Sequence, residues 1–425
     1  MIQTLRGFRD ILPDETEVWQ KIEKTAKNIF ESFGFKEIRI PVMEKTEVFA
    51  RGIGENTDIV EKEMFTFPDS RGKNQTLRPE ATASIVRSYI QHKMYSRTPE
   101  QKLYTIGPMF RKERPQKGRY RQFYQINAEV LGIDSPVLDA QLIVMLDKLL
   151  KTLKVKNLKT KINSLGCPLC RTQYNKVLSK YLENTKDLCH DCERRKHKNP
   201  LRILDCKNEA CSSQLKDAPA MSDFLCKECK DHFSSVKKYL DFENINYETD
   251  SNLVRGLDYY TKTAFEIQTD ELGAQSAIAG GGRYDGLVEL LGGPQTPGIG
   301  FAIGLDRLVE IIASKEKKDT VTPPDIYFLP FGEKAKEKAY ILCNKLAEQK
   351  IKSEMEFSDK SMKALMKKAN RTKAAFCAII GENEVEKNII SLKNMDNGDQ
   401  SEVLEENFIS EIKKNLNFTG DDYSG

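Results

Sequence analysis

KLYTIGPMFRKERPQKGRYRQFYQINAEVLG, residues 102–132, is the stretch whose reading decides the fold. Apolar, β-branched and aromatic residues run up to a polar tip, RPQKGRY, and resume beyond it, which is the pattern of a long β-hairpin. Successive side chains of a strand point to opposite faces. On the return strand Tyr124, Ile126, Ala128 and Val130 therefore share one face, and Phe123, Gln125, Asn127 and Glu129 share the other. On the outgoing strand Ile106 and Phe110 fall on one side, with Met109, Arg111 and Glu113 on the other. A strand that aligns glutamine, asparagine and glutamate on one face lines either solvent or a polar pocket. Residues 111–123 also carry six basic side chains and one acid in thirteen positions. Such a run is a solvated loop, a nucleic-acid patch or a grip for phosphates.

Bulk properties narrow the choice. A chain of 425 residues is long enough for two or three domains with ordinary cores. Charged residues make up 31% and hydrophobic residues 39%, as in a globular protein. The net charge is +4, from 67 basic and 63 acidic residues, so any basic footprint must be local. No apolar run approaches the roughly 20 residues of a membrane span, and MIQTLRGFRD has no apolar signal core. A cytoplasmic protein is expected, with no membrane partner. Eight of the ten cysteines lie between 167 and 229, in pairs. Without an export signal, that clustering suits metal binding or reduced thiols better than disulfides.

Along the chain, Val18, Ile22, Ala26, Ile29 and Phe33 recur at helical spacing, so 13–33 is expected to be an amphipathic helix that Gly34 stops. FKEIRIPVM, 35–43, reads as a strand whose Pro41 places it at an edge or interface. Residues 167–232 form a separate segment with the cysteine pairs and three of the four histidines. Strand-like LVRGLDYYTK and TAFEIQT follow, then the glycine cluster AIAGGGRYDGLVELLG. GIGFAIGLDRLVEII is a strand running into a helix. SKEKKDTVTPP, 314–324, reads as a linker. Beyond it, DIYFLPF, a helix at 333–349, IKSEMEF, a helix at 359–372, AAFCAIIG and NIISLKN alternate as in a small α/β domain. No internal repeat is visible.

Four constellations carry chemistry. Arg111 and Glu113 share a side with Gln125 and Glu129 if the hairpin register is regular, a combination that suits a charged substrate. In LVRGLDYY, 253–260, Arg255 and Asp258 interrupt an apolar stretch. They read as a buried ion pair or, for Arg255, as a guanidinium facing developing negative charge. AGGGRYDG, 279–286, permits close backbone approach, but neither a P-loop nor a GxGxxG spacing is present. In GIGFAIGLDRL, 298–308, Arg307 falls in the first turn of a helix, where the dipole favours anions. No nucleophilic triad is visible, since His92 is the only histidine outside the cysteine-rich segment.

Together and in this order these stretches resemble the histidyl-tRNA synthetases, a family of class II aminoacyl-tRNA synthetases. FGFKEIRIPVM resembles class II motif 1, YTIGPMFRKERPQKGRYRQFYQ motif 2, and GIGFAIGLDRL motif 3; LVRGLDYY and AGGGRYDGL are the two signatures particular to the histidine family. The resemblance covers essentially the whole chain. It implies an α+β catalytic domain over 1–322, with an antiparallel class II sheet and flanking helices. A Cys-rich helical insertion at about 167–240 would interrupt it, and a C-terminal α/β anticodon-binding domain would cover 323–425. It also implies a homodimer with motif 1 at the interface.

The implied activity is that of a histidine–tRNA ligase. Histidine's carboxylate attacks the α-phosphorus of ATP, and the acyl group then passes to the 3′ end of tRNA(His). ATP comes with Mg²⁺. Arg111 and Arg255 are the implied catalytic residues on the α-phosphate, Arg255 also meeting the histidine carboxylate. Glu113 holds the adenine amino group, Phe123 stacks on the adenine, and Arg307 covers its other face near the γ-phosphate. Glu80, Thr82 and Gln125 hold the substrate's ammonium group, with Ala81 beside them in the histidine-binding set. Glu129 and Tyr260 bond the imidazole, and Tyr259 and Tyr284 wall the pocket. Gln116, Arg119 and Arg121 would meet the tRNA acceptor end. Tyr124 stands where many members carry histidine, but by strand phase it faces away. The competing resemblance is to the non-catalytic regulatory subunit of ATP phosphoribosyltransferase, which typically lacks the C-terminal domain and loses motif residues.

Cys167-x2-Cys170 and Cys189-x2-Cys192 are eighteen residues apart, within the spacing of a Cys₄ zinc site. Cys206-x4-Cys211 and Cys226-x2-Cys229 would form a second set. Zinc in at least one site is one reading; a set of buried thiols in a helical insertion is the other.

Overall fold

The protein is seen in a computed structural model. It describes every residue except 1, 55–56, 117, 207, 273–276, 316–321, 359–360 and 417–425. Most of the linker expected at 314–324 lies outside the described residues. The chain divides into two compact units, 1–320 and 321–425.

The first unit is built on an eight-stranded sheet. In spatial order its strands are Lys36–Glu37, Gln101–Phe110, Gln122–Leu131, Gly298–Gly304, Ala277–Arg283, Thr261–Thr269, Leu158–Ser164 and Tyr247–Thr249. The six central strands pair antiparallel. Only the two short edge strands are added in parallel. The hairpin of Gln101–Phe110 and Gln122–Leu131 sits near one edge, with Met109 opposite Phe123 and Gly107 opposite Gln125. Its alternation decides the layering. Ile126, Ala128 and Val130 are buried in the main core against Val18, Trp19, Ile22, Ala26 and Phe30 of the helix Pro13–Ser32 and the helix Pro136–Thr152. The helix Pro13–Ser32 starts on proline, whose missing N–H costs nothing there. Gly34 follows it at φ +82°, a left-handed conformation that favours glycine. The polar face of the hairpin is left for the site.

FKEIRIPVM is not one strand. Only Lys36–Glu37 joins the large sheet, and Met43–Lys45 pairs instead in a three-stranded sheet with Asn74–Leu77 and Thr66–Pro68. The intervening backbone is satisfied by Arg78. Its guanidinium donates to the Ile40 carbonyl at 2.8 Å, and its own N–H donates to the Val42 carbonyl at 2.9 Å. Pro41 has no N–H to give a ladder.

The segment from 167 onward is helical: Pro168–Glu183, His190–Lys198, Glu209–Gln214 and Lys227–Phe242. It has a small core of its own, in which Cys170, Cys192, Cys211 and Cys229 pack with Tyr174, Leu178 and other apolar side chains. The last helix leaves it and buries Phe233, Val236 and Leu240 in the main core.

The second unit has a five-stranded sheet in the order Ser353–Met355, Ile326–Pro330, Phe376–Ile380, Ile389–Asn394 and Gln400–Leu404. Helices Glu333–Glu348 and Met362–Thr372 make the expected crossovers between its parallel strands. The strand Gln400–Leu404 and the helix Phe408–Asn415 were not foreseen. Four of the strand's five residues are exposed, so it lacks the apolar run that marks a strand.

Candidate active site and cysteine tetrads

A cavity of about 400 Å³ opens on the polar face of the large sheet. Gln125 and Asn127 line its floor, as the strand phase requires; Tyr124, expected to face away, also borders the cavity, although its ring meets Trp19 edge-on at 5.0 Å. Arg111, Arg255 and Arg307 converge on this cavity from the hairpin, from the 253–260 loop and from the first turn of the helix Leu305–Ala313.

Arg111 is fixed by three contacts. Its Nε donates to the Pro79 carbonyl at 2.9 Å, its Nη1 lies 3.8 Å from Glu113, and its guanidinium sits 5.2 Å from the Phe123 ring centre. Arg119 reaches the same Glu113 at 3.4 Å. The hairpin tip closes through reciprocal backbone bonds between Gln116 and Arg119. Arg121 is not presented at this tip. It is half-buried, donates its N–H to the Gly7 carbonyl at 2.7 Å, and lays its guanidinium along the Glu113 and Arg6 carbonyls.

Arg255 donates to Glu266 at 2.8 Å and lies 6.0 Å from the Tyr260 ring centre. Burial opposes its charge, but Tyr260 and Glu266 outweigh that and raise its pKa. Its Nε is buried without a partner among the described residues, as are Gln125 Oε1 and Asn127 Oδ1. Buried polar atoms without partners are costly, so three on one cavity fit a polar, charged occupant. The glycine cluster serves Arg255. A Cβ on Gly280 would come within 2.3 Å of the guanidinium. Arg283 of the same motif is fully buried on Asp139 and does not line the cavity.

At the other end of the cavity, the buried Glu80 carboxylate accepts from the N–H groups of Thr82 and Ala83 at 2.7 and 2.8 Å, at the start of the helix Thr82–Gln91. Thr82 in turn donates from Oγ1 to Glu129 at 2.7 Å. Tyr284 donates to the other Glu129 oxygen at 2.5 Å. Burial pushes Glu129 up to about 8, against the pull of these two donors. Tyr259 and Tyr260 line the cavity, with ring centres 4.7 Å apart. Glu129 and Tyr284 stand behind that lining. Ala81 is fully buried in an apolar cluster with Ile85, Leu103 and Met109, so it supports the wall without facing the cavity.

Sequence reading overlooked Glu266, the partner of Arg255. Its signal was available: in TAFEIQT the acid alternates with buried Phe265 and Ile267, which puts it on the cavity face. Asp58, Glu63 and Arg202 also line the cavity. Asp58 and Glu63 bracket the single helical turn Ile59–Glu63 and Arg202 comes from the insertion, segments too short to show a period.

The cysteines assemble differently from the expected set. Cys167, Cys170, Cys189 and Cys192 do not form one site. Cys167 and Cys170 meet Cys226 and Cys229, while Cys189 and Cys192 meet Cys206 and Cys211; within each tetrad the sulfurs lie within 4.8 Å of one another. The helix Pro168–Glu183 explains the correction. Its 16 residues span roughly 24 Å and carry the second pair away from the first. All eight thiols are free. Sulfur separations of 3.5 Å (Cys167 to Cys170) and 3.8 Å (Cys189 to Cys206) match tetrahedral ligation, where bonds of about 2.3 Å set sulfurs about 3.8 Å apart. The backbone N–H groups of Cys226 and Cys189 point at Cys170 and Cys211 sulfurs, each at 3.1 Å. Both tetrads therefore fit zinc.

Comparison with known proteins agrees with this architecture. The profile described as histidyl-tRNA synthetase matches residues 7–168 and 174–308, and an anticodon-binding-domain profile matches 325–415. The histidine–tRNA ligase of Desulforapulum autotrophicum is 55% identical over 421 residues, 99% of each chain. That of Desulfatibacillum aliphaticivorans is 54% identical over 95% of this chain and 96% of its own. The crystal structure of apo histidyl-tRNA synthetase from S. aureus superposes with a TM-score of 0.82 at 38% identity, covering 97% of this chain and 100% of that one. With the motifs, the class II sheet and the C-terminal domain all in place, the chain belongs to the histidyl-tRNA synthetase family.

Proposed function

We propose that the chain is a ligase that activates L-histidine with ATP, releasing pyrophosphate, and passes the histidyl group to the 3′ end of tRNA(His). The convergence of Arg111, Arg255 and Arg307 on one cavity is the observation that carries this reading. Three guanidiniums match a triphosphate whose α-phosphorus gains charge as the histidine carboxylate attacks and pyrophosphate leaves. No protein nucleophile is required. Arg111 and Arg255 hold the α-phosphate; Phe123 and Arg307 take the adenine between them, with Glu113 on its amino group. Glu80, Thr82 and Gln125 receive the ammonium; Tyr260 takes the imidazole at the cavity surface, and Glu129, next behind that lining, is its second partner once histidine enters. Class II synthetases use ATP with Mg²⁺. Glu63, raised by burial and by the neighbouring Glu113 carboxylate, marks a place where a cation would be welcome; the ion would neutralise the leaving pyrophosphate. The two cysteine tetrads are proposed zinc sites, and a reducing cytoplasm suits their free thiols.

Histidine-dependent exchange of pyrophosphate into ATP tests this. Exchange is expected with histidine alone among the amino acids; equal exchange with others, or none with histidine, would refute the assignment. The tip separates the two half-reactions in the same preparation. Gln116 and Arg119 are exposed there, so Gln116→Glu should keep exchange and impair acylation of tRNA. Arg121, pinned to the N-terminal segment, would act by holding the tip and not by contact.

A homodimer is proposed through motif 1, whose Val42 and Met43 are exposed and whose Lys36–Glu37 is an edge strand of the large sheet. Sedimentation showing only monomer at micromolar concentration would contradict it. The regulatory-subunit reading is not favoured, because the motif arginines and the C-terminal domain are present and the relatives at 55% and 54% identity are ligases.

A further inference from the structure

The segment 190–202, which contains Cys192 and runs on towards Cys206 of the same tetrad, reaches across to the walls of the active-site cavity. Arg194 and Arg195 donate to Asp58 at 3.1 and 2.6 Å, and Arg202 approaches it at 3.6 Å. Arg194 also reaches Glu61 at 2.8 Å. On the opposite wall Asn199 donates to Asp258 at 2.7 Å, and Arg202 donates to the Gly256 carbonyl at 2.6 Å. Asp58 lines the cavity, as do Gly256 and Leu257, which flank the catalytic candidate Arg255 and the tyrosines of 253–260. The arm thus clasps both walls. Burial would raise Asp58, but Arg195 outweighs it and keeps the carboxylate ionised for the clasp.

The arm has little hold of its own. The helix His190–Lys198 has nine residues, too few to be stable alone. Its only buried side chain is Cys192, and the following turn Pro200–Ile203 buries only Ile203. A helix of this composition, with no apolar face, needs another anchor, and Cys189, Cys192, Cys206 and Cys211 supply one at both ends of the arm.

We propose that zinc in the tetrad of Cys189, Cys192, Cys206 and Cys211 positions the arm 190–202, which in turn holds the Asp58 wall and, through Asp258 and Gly256, the 253–260 loop that carries Tyr259 and Tyr260. Cys167, Cys170, Cys226 and Cys229 bind a second zinc that ties the base of the insertion and leaves the arm alone. The proposal rests on the zinc reading above and is separable from the ligase reading.

Full-length, untagged protein purified without chelator is expected to contain about two zinc ions per chain, one for each four-thiolate site. Cys206→Ser should lose one, become rapidly nicked by trypsin within 194–198, and bind histidine at least about 10-fold more weakly by calorimetry, the scale of one lost positioning interaction. Cys226→Ser should also lose one zinc, yet keep the arm resistant to trypsin and histidine affinity near wild type. The pair Arg194→Gln and Arg195→Gln should retain both zinc ions and weaken histidine as Cys206→Ser does. This keeps the test sound if a cysteine variant folds badly. Zinc-free wild-type protein would overturn the proposal at its root. A Cys206→Ser protein that loses zinc but keeps a resistant arm and full affinity would overturn the coupling alone. Absence of pyrophosphate exchange in wild type bears on the ligase reading, while the metal and trypsin results still decide this one.

Discussion

Arg255→Ala is expected to slow histidyl-adenylate formation by about 10³-fold, the upper end for removing one preorganised charge-stabilising donor, while ATP binding changes by less than about 3-fold. Arg255 is held in place before any substrate arrives. Glu266 and Tyr260 keep it charged, and Gly280 leaves the space it fills. Its buried Nε still has no partner among the described residues. A group arranged in this way costs no reorganisation when negative charge develops on the α-phosphate. Its loss should therefore appear in the rate of the chemical step and not in ground-state affinity. Two further variants sharpen the expectation. Arg255→Lys should not restore the rate, since an ammonium lacks the planar fork. Gly280→Ala should be damaging although it touches no substrate, because its Cβ would displace the guanidinium. Single-turnover adenylate formation with separately measured ATP affinity decides the matter. Equal losses in both would contradict a transition-state role.

The hairpin was legible because period 2 is a local property. Once Ile126, Ala128 and Val130 are assigned to the core, Gln125, Asn127 and Glu129 have nowhere to go but the other face. The same rule would have found Glu266. Arg111, Arg255 and Arg307 were legible only as separate motifs; their convergence depends on a strand order in which Gln122–Leu131 neighbours Gly298–Gly304 and then Ala277–Arg283, a pairing distant in sequence. Three features had no local signal. The cysteine tetrads nest first pair with last because a helix intervenes and the chain returns. The FKEIRIPVM strand is interrupted by Arg78, some forty positions later. Arg121 looks like a member of a basic tip, yet its partners are backbone carbonyls of residues 6 and 113. Charge composition cannot distinguish an arginine that meets a ligand from one that ties two segments together.

Glu129→Gln is expected to weaken histidine binding by about 100-fold at pH 8 or above, the value of a hydrogen bond to a charged group in a buried site, and to remove a pH dependence present in the wild type. Glu129 is 1% exposed. Its carboxyl is raised to about 8 by burial, although Tyr284 and Thr82 both donate to it and favour the anion. In the unliganded protein the neutral acid therefore predominates below about 8. A neutral imidazole presents an N–H that an ionised carboxylate accepts best. Wild-type affinity for histidine should accordingly rise between about pH 6.5 and pH 9, first as the ligand imidazole loses its proton and then as Glu129 does. In Glu129→Gln only the first rise should survive. Stability must move the opposite way. The folded pKa lies above the unfolded value, so the folded state binds more protons between about 4.5 and about 8. The contribution of Glu129 is fully present below the unfolded pKa of about 4.5 and is lost as pH rises through about 8. Glu129→Gln, which cannot ionise, should flatten the fall in stability over this range. Calorimetric titrations with histidine and denaturant midpoints across the same pH series test both signs together. Affinity that is flat above about pH 7 in the wild type would remove Glu129 from the imidazole site. A stability profile unchanged by the substitution would show that the carboxyl is not held neutral at all.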